Sequence, residues 1–259
     1  MRNLVLAFAI LFVVLPFQLS WAQLTETRDL PTFQAVKNMD GMKVILLKGE
    51  KESAHIESEK TALKDIITEI SGNELQIHFK NKVQMGWKDN YNGNVVITIT
   101  FKELQAVRNS GSGKITCEDV IRTQNLELKQ SGSGHIALKQ IDVAQNLEAK
   151  VSGSGKLEVT SARIAGITQA EVSGSGKFEV LGGTTAKLEA KISGSGNLLL
   201  SELEAENAEA KVSGSGRLRL AVTNHLEAKV SGSGSILYKS KPRSVGADVS
   251  GSGRVRAIE

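Results

Sequence analysis

The sequence predicts an all-β fold, a parallel β-solenoid of about eight coils of about 20 residues, with a strand-rich cap at its amino-terminal end. Three observations lead there. The tetrapeptide Ser-Gly-Ser-Gly begins at residues 110, 131, 152, 173, 193, 213, 231 and 250, and holds 16 of the 25 glycines of the 259-residue chain. Between its copies, apolar and polar residues alternate with a period of two, which is the period of a strand with one buried face and one wet face. A period near 20 is half of what a propeller blade needs, and a spacing of two excludes helical repeats.

The elements follow in chain order. Met1-Arg2-Asn3 is a short basic start, Leu4 to Phe17 is an apolar run, and Ser20-Trp21-Ala22 supplies the small residues of a cleavage site. Residues 1–22 therefore read as a signal peptide, shorter than the roughly 20 apolar residues that span a bilayer. The expected location of the mature chain is the periplasm, the cell surface or the extracellular space. No later stretch is apolar enough to be a transmembrane segment. The mature chain has 31 basic and 28 acidic residues, spread along its length. This is not the clustered basic footprint of a nucleic-acid-binding protein.

Residues 23–108 form an amino-terminal strand-rich segment expected to be continuous with the solenoid. Lys43–Lys48, Glu74–Phe79 and 95–100 read as strands, punctuated by Gly49-Glu50, Ser71-Gly72-Asn73 and Asn92-Gly93-Asn94. One or two helical turns are expected over 61–67. Because Leu104 to Arg108 runs directly into the first tetrapeptide, this segment should cover the open edge of the first coil.

Residues 109–259 are the repeat solenoid. Around its third tetrapeptide, Leu147, Ala149, Val151, Gly153, Gly155, Leu157 and Val159 fall on one face, and Glu148, Lys150, Ser152, Ser154, Lys156 and Glu158 on the other. Both glycines are thus expected to point inward, where backbone approaches backbone. Outward, the position of Lys150 is held in successive coils by Lys129, Lys150, Glu171, Lys191, Lys211 and Lys229. Two residues earlier stand Glu127, Glu148, Gln169, Glu189, Glu209 and Glu227. Parallel columns of opposite charge compensate one another. At the far end, Arg254 and Arg256 put charge on the outward positions of the last strand.

The order of these segments carries a resemblance. Gly72-Asn73-Glu74-Leu75-Gln76-Ile77 leads to Val96-Ile97-Thr98-Ile99-Thr100-Phe101. Glu103-Leu104, Ser110-Gly111-Ser112-Gly113 and repeated units such as Val151-Ser152-Gly153-Ser154-Gly155-Lys156-Leu157 follow. Over about residues 30–259 the chain resembles the putative auto-transporter adhesin, head GIN domain family. That resemblance implies an exported β-helical domain, and it carries over no catalytic or ligand-binding residues.

The residues suggest no catalytic chemistry. His55, His78, His135 and His225 are scattered and never spaced as metal ligands, and the single Cys117 lies at an inward position. The Gly-rich turns lack the Asp of calcium-binding β-rolls and the strand–helix setting of phosphate loops. The acidic run Glu202 to Glu209 alternates like any outer face. No cofactor and no metal is expected. The most distinctive non-repetitive surface is Trp87-Lys88-Asp89-Asn90-Tyr91, where Trp87, Asp89 and Tyr91 suit a sugar or a protein partner. The expected function is a noncatalytic, adhesin-like binding module that meets glycans or cell-envelope proteins through its repeated outer face. The alternatives are an assembly protein that oligomerises through its coil edges and, further off, a polysaccharide-active β-helix enzyme.

Overall fold

The computed structural model describes residues 24–58, 63–80 and 95–258. The expected signal peptide (residues 1–22) and the Trp87, Asp89 and Tyr91 candidates lie outside the described residues. Eight strands precede the regular coils: β1 (Leu24–Asp29), β2 (Ala35–Asn38), β3 (Lys43–Lys48), β4 (Ser53–Ser58), β5 (Ile66–Ser71), β6 (Glu74–Phe79), β7 (Val95–Phe101) and β8 (Ala106–Asn109). The coils are then β9 (Lys114–Gly132), β10 (His135–Gly153), β11 (Lys156–Gly174), β12 (Lys177–Val180) with β13 (Gly183–Gly194), β14 (Asn197–Gly214), β15 (Arg217–Gly232), and β16 (Ser235–Lys239) with β17 (Ser244–Ser250). The eighth tetrapeptide opens only the short β18 (Arg254–Ala257), so the solenoid has about seven turns.

Every coil pairs in parallel with the next, in a register that repeats the tetrapeptide. Ser152 and Gly153 sit beside Ser173 and Gly174, and Lys150 sits beside Lys129 and Glu171. Between coils β9 and β10 the ladder shifts at Leu138/Gln140 and at Val143/Asn146. These two corners and the glycine turn divide a coil into three straight walls. In β10 the inward residues are Ile136 and Leu138 on the first wall, Ile141 and Val143 on the second, and Leu147, Ala149 and Val151 on the third, all buried. One coil cannot hide these side chains from water; stacking makes columns of them. The column Val44, Ile115, Ile136, Leu157, Phe178, Leu198, Leu218 and Ile236 is fully buried from the cap to the sixteenth strand.

The alternation predicted across the tetrapeptide breaks at its first glycine. Gly155 is buried, as expected, whereas Gly153 is exposed and takes φ +95°. A coil must change direction here, and a left-handed residue resets which side of the chain faces inward. Only glycine does this without strain. Stacking adds a second demand. A Cβ on Gly153 would stand 2.9 Å from the carbonyl oxygen of Gly132, and one on Gly155 would stand 2.8 Å from that of Gly134. The space is closed by coil-to-coil hydrogen bonds, Ser154 N donating to Gly132 O (3.1 Å) and Lys156 N to Gly134 O (2.9 Å).

The cap extends two walls and leaves parallel order only at its outermost strands. On the first wall, β3 stacks on β9 and β7 on β3, both parallel; β4 and then β1 add antiparallel. On the third wall, β8, β2 and β6 stack in parallel before β5 closes antiparallel. The helical turns expected over 61–67 reduce to a 3-10 turn at Leu63–Asp65, after which Ile66 enters β5. Arg28 of β1 ties the two walls together: its guanidinium donates to Ile66 O (2.7 Å), Leu63 O (2.9 Å) and Thr68 Oγ1 (3.1 Å).

Inside the first coils runs a buried amide ladder. Asn38 Nδ2 donates to Asn109 Oδ1 (3.1 Å), and Asn109 Nδ2 donates to Gln130 Oε1 (2.9 Å). In the following coils the same position is Val151, Val172, Ile192, Val212 and Val230. Polar groups buried this deeply are tolerated because each is bonded.

Two outcomes follow for stability. Gly153→Ala, which forces a side chain into a left-handed turn against backbone, should cost about 2 kcal/mol or more in denaturant unfolding, whereas Gly182→Ala, with its nearest atom 3.7 Å away, should change stability by less than about 1 kcal/mol. Equal costs at both sites would contradict the packing argument. Asn109→Ala should lower stability by about 1–3 kcal/mol by removing the acceptor of one Asn38 amide bond and the donor to Gln130 Oε1, and replacing all three with Val should recover most of that loss.

Candidate binding face

The third wall carries the predicted charge columns, and the register places them as expected. Glu127, Glu148, Gln169, Glu189, Glu209 and Glu227 stand in one line, and Lys129, Lys150, Glu171, Lys191, Lys211 and Lys229 in the next. Side chains two apart on a strand, or side by side on adjacent coils, point the same way, so these Lys reach a neighbouring acid. Lys129 Nζ lies 2.7 Å from Glu127, Lys150 2.6 Å from Glu148, and Lys229 2.9 Å from Asp248. Lys211 pairs with Glu209, and Lys191 crosses to Glu171 of the preceding coil at 3.4 Å. Gln169, the one neutral member of the acidic column, donates to Glu189 (3.1 Å).

These bonds set protonation. Hydrogen bonds from Lys187 and Gln169 hold Glu189 below the usual carboxylate range. The bond to Glu148 raises the Lys150 ammonium, and the bond to Glu209 raises Lys211. Glu189, Lys150 and Lys211 are therefore held in their charged forms, each beside an opposite charge. Exposed pairs of this kind contribute at most about 1 kcal/mol each, so they shape the surface more than they hold the fold. Between the columns runs a shallow groove of about 300 Å³ bordered by Lys150, Gln169, Glu171, Glu189, Lys191 and Lys211. A second, of about 320 Å³, lies toward the turn beside Ser131, Ser152 and Ser173. Both are open and run across three or four successive coils, and suit contact along a chain or surface.

The first wall is paired in the same way only in its middle. Lys156 pairs with Glu158, and Lys177 lies 2.7 Å from Glu179. In the last coils the acidic column gives way to arginine. Register puts Arg217, Ser235 and Arg254 in one outward column and Arg219, Leu237 and Arg256 in the next. In the sequence alone, Arg254 and Arg256 stand only as charges on a final strand. Their company with Arg217 and Arg219 appears once spacings of 18 and 19 residues are known to be in-register coils.

The remaining candidates occupy quiet positions. Cys117 is buried, its thiol pushed up to about 12 by loss of water, and it donates to Asp119 O (3.4 Å). His78 contacts Glu69 at 3.0 Å, His55 contacts Thr27 at 2.9 Å, and His225 contacts Ser244 at 2.7 Å. His135 stands between Lys114 and Lys156 in the first-wall column, its pKa lowered by burial and by both ammonium groups. Glu202, at the head of the acidic run, holds Lys239 at 3.2 Å. Among the described residues no group of three His, Cys, Asp or Glu side chains converges as metal ligands, and no helix is long and apolar enough to cross a membrane.

His135 has a pH signature. Its folded pKa lies below the ordinary imidazole value of about 6.5, so the folded state binds the proton less readily than the unfolded chain. Stability present above pH 6.5 is then lost as pH falls through that value. His135→Asn, which copies Asn197 of the same column, should flatten thermal stability between about pH 7.5 and pH 5.5 relative to the wild type. A wild-type melting temperature that rises as pH falls from about 7.5 to about 5.5 would contradict the burial of the ring.

Comparison with known proteins agrees with this architecture. The family profile described as putative auto-transporter adhesin, head GIN domain, matches residues 32–242. No curated protein matches the sequence. Three solved structures share the fold. A putative adhesin from Parabacteroides merdae is 21% identical, with 92% of this chain and 96% of that chain aligned at a TM-score of 0.82. A putative adhesin from Parabacteroides distasonis is 20% identical over 92% and 97% of the two chains, at 0.83. A putative lipid binding protein from the same species is 22% identical over 92% and 97%, at 0.82.

Proposed function

The chain belongs to the putative auto-transporter adhesin, head GIN domain family, and from that premise we propose that it is an exported, noncatalytic binding protein of the cell envelope, acting through its outer walls. The observation that carries this reading is the unbroken register of the third wall. From β9 to β15 the Glu and Lys columns repeat one charge pattern at every coil except β11, where Gln169 and Glu171 stand. A surface that repeats at about 4.8 Å offers many equivalent weak contacts instead of one pocket. Such contacts sum only against a partner that is itself extended, such as a glycan chain or a cell surface. The adhesin names of two solved relatives accord with this use. Trp87, Asp89 and Tyr91, between β6 and β7, are a second contact in the same reading, because aromatic rings beside a carboxylate stack on sugars and bond their hydroxyls.

Beads coated with mature protein should adhere to cells, and soluble mature protein should compete. Replacing Lys150, Lys191 and Lys211 with Gln should reduce adhesion by about ten-fold through lost multivalency, with little change in melting temperature because the pairs are exposed. Trp87→Ala should weaken adhesion further. Adhesion that survives both changes would remove the basis of the reading.

A further inference from the structure

The four arginines at the carboxyl-terminal end of the first wall stand apart from the rest of the charged surface. The third-wall columns and the middle of the first wall are laced by ion pairs, yet among the described residues Arg217, Arg219, Arg254 and Arg256 make none. The change is local and specific. The column that holds Glu158 and Glu179 becomes Leu199, Arg219, Leu237 and Arg256, so the counter-charge is replaced by cation. Arg217 and Arg254 lie two coils apart, about 10 Å, and the two columns are about 7 Å apart. Four guanidinium groups thus outline a small rectangle. Leu237, between Arg219 and Arg256 in register, is 7% exposed although it points outward.

The rectangle borders a concavity. Ser215, Ser233 and Ser252, the second serines of three successive turns, line a recess of about 160 Å³ together with Arg217, Ser235 and Arg254. A planar guanidinium fork matches the oxygen edge of a sulfate or phosphate group, and serine hydroxyls both donate and accept beside it. The spacing favours two such groups along one chain over a single ion. No aromatic side chain lines the recess to stack on a nucleobase, and no exposed apolar side chain lines it to enter a bilayer.

We propose that the Arg217, Arg219, Arg254 and Arg256 rectangle, with its serine-lined recess, binds a polysaccharide bearing sulfate or phosphate ester groups. The inference rests on the reading of the outer walls as binding surfaces, but it assigns a different wall and a charged ligand.

The probes are fluorescein-labelled dextran sulfate, neutral dextran, inorganic phosphate and phosphatidylglycerol vesicles, titrated into mature protein and followed by anisotropy or sedimentation. Dextran sulfate should bind in a salt-sensitive manner, neutral dextran should not, and phosphate should compete only weakly. Arg217→Gln with Arg254→Gln should weaken dextran sulfate binding about ten-fold or more, and Arg217→Lys with Arg254→Lys should still weaken it several-fold, because charge is kept but the fork is lost. Lys51→Gln with Lys139→Gln removes the same charge from exposed positions in the cap and at the first corner, outside both proposed surfaces, and should change binding less than about two-fold. Circular dichroism melts confirm that each variant is folded. An equal loss in the Lys51 and Lys139 control would overturn the site as a mere net-charge effect. Vesicles bound as tightly as dextran sulfate, with the same arginine dependence, would overturn the glycan assignment. Wild-type protein that ignores dextran sulfate while its beads still adhere to cells would overturn this site alone and leave the wider binding reading standing.

Discussion

The approach of one glycine turn to the next governs the rest of this molecule. At Gly153 and Gly155 the backbone of one coil lies against the backbone of the coil before it, with no room for a methyl group. That closeness fixes the axial rise, and the hydrogen bonds from Ser154 and Lys156 fix the register. Once rise and register are set at the turn, every other position inherits them. Leucine must then sit near leucine inside, and lysine near lysine outside. The inner columns become a continuous core, and the outer columns require compensating acids. The charge pattern of the surface is thus a downstream result of two absent side chains.

The amino-terminal cap solves the problem that such stacking creates. A parallel ladder ends in an unpaired row of amides and carbonyls, and here two walls end by reversing strand direction at β4 and at β5. Reversal lets short hairpin-like connections replace a full coil. Arg28 then bonds across the end to carbonyls of the opposite wall, which makes the cap one body. The amide ladder of Asn38, Asn109 and Gln130 marks where cap passes into repeat. Beyond it the same column is aliphatic, and register there depends on the glycine turns.

Much of this was legible in the sequence, for a definable reason. A period of two and a repeat near 20 are direct images of the strand pleat and the coil length, so the solenoid and the lysine and glutamate columns could be read residue by residue. The strands at Lys43–Lys48 and Glu74–Phe79 were equally visible. What escaped was whatever needs a third dimension. Gly153 looks inward in any strict alternation, and only the demand that a coil close shows that it must take a positive φ and face water. Strands β1, β2, β4, β5 and β8 are too short or too polar to stand out, and their pairings cross the chain order. The arginine rectangle is divided between residues 37 apart, so it exists only in the folded register.

Repeat stacking has a mechanical meaning as well. Coils bond to one another along the solenoid axis, so a pull on the carboxyl terminus loads one ladder at a time instead of shearing the whole core. Each detached coil would release a tether of 18 to 21 residues, about 60–75 Å of contour. A body fastened by such a protein would be held by a link that lengthens in steps and dissipates work under load, and that can rewind when the load falls.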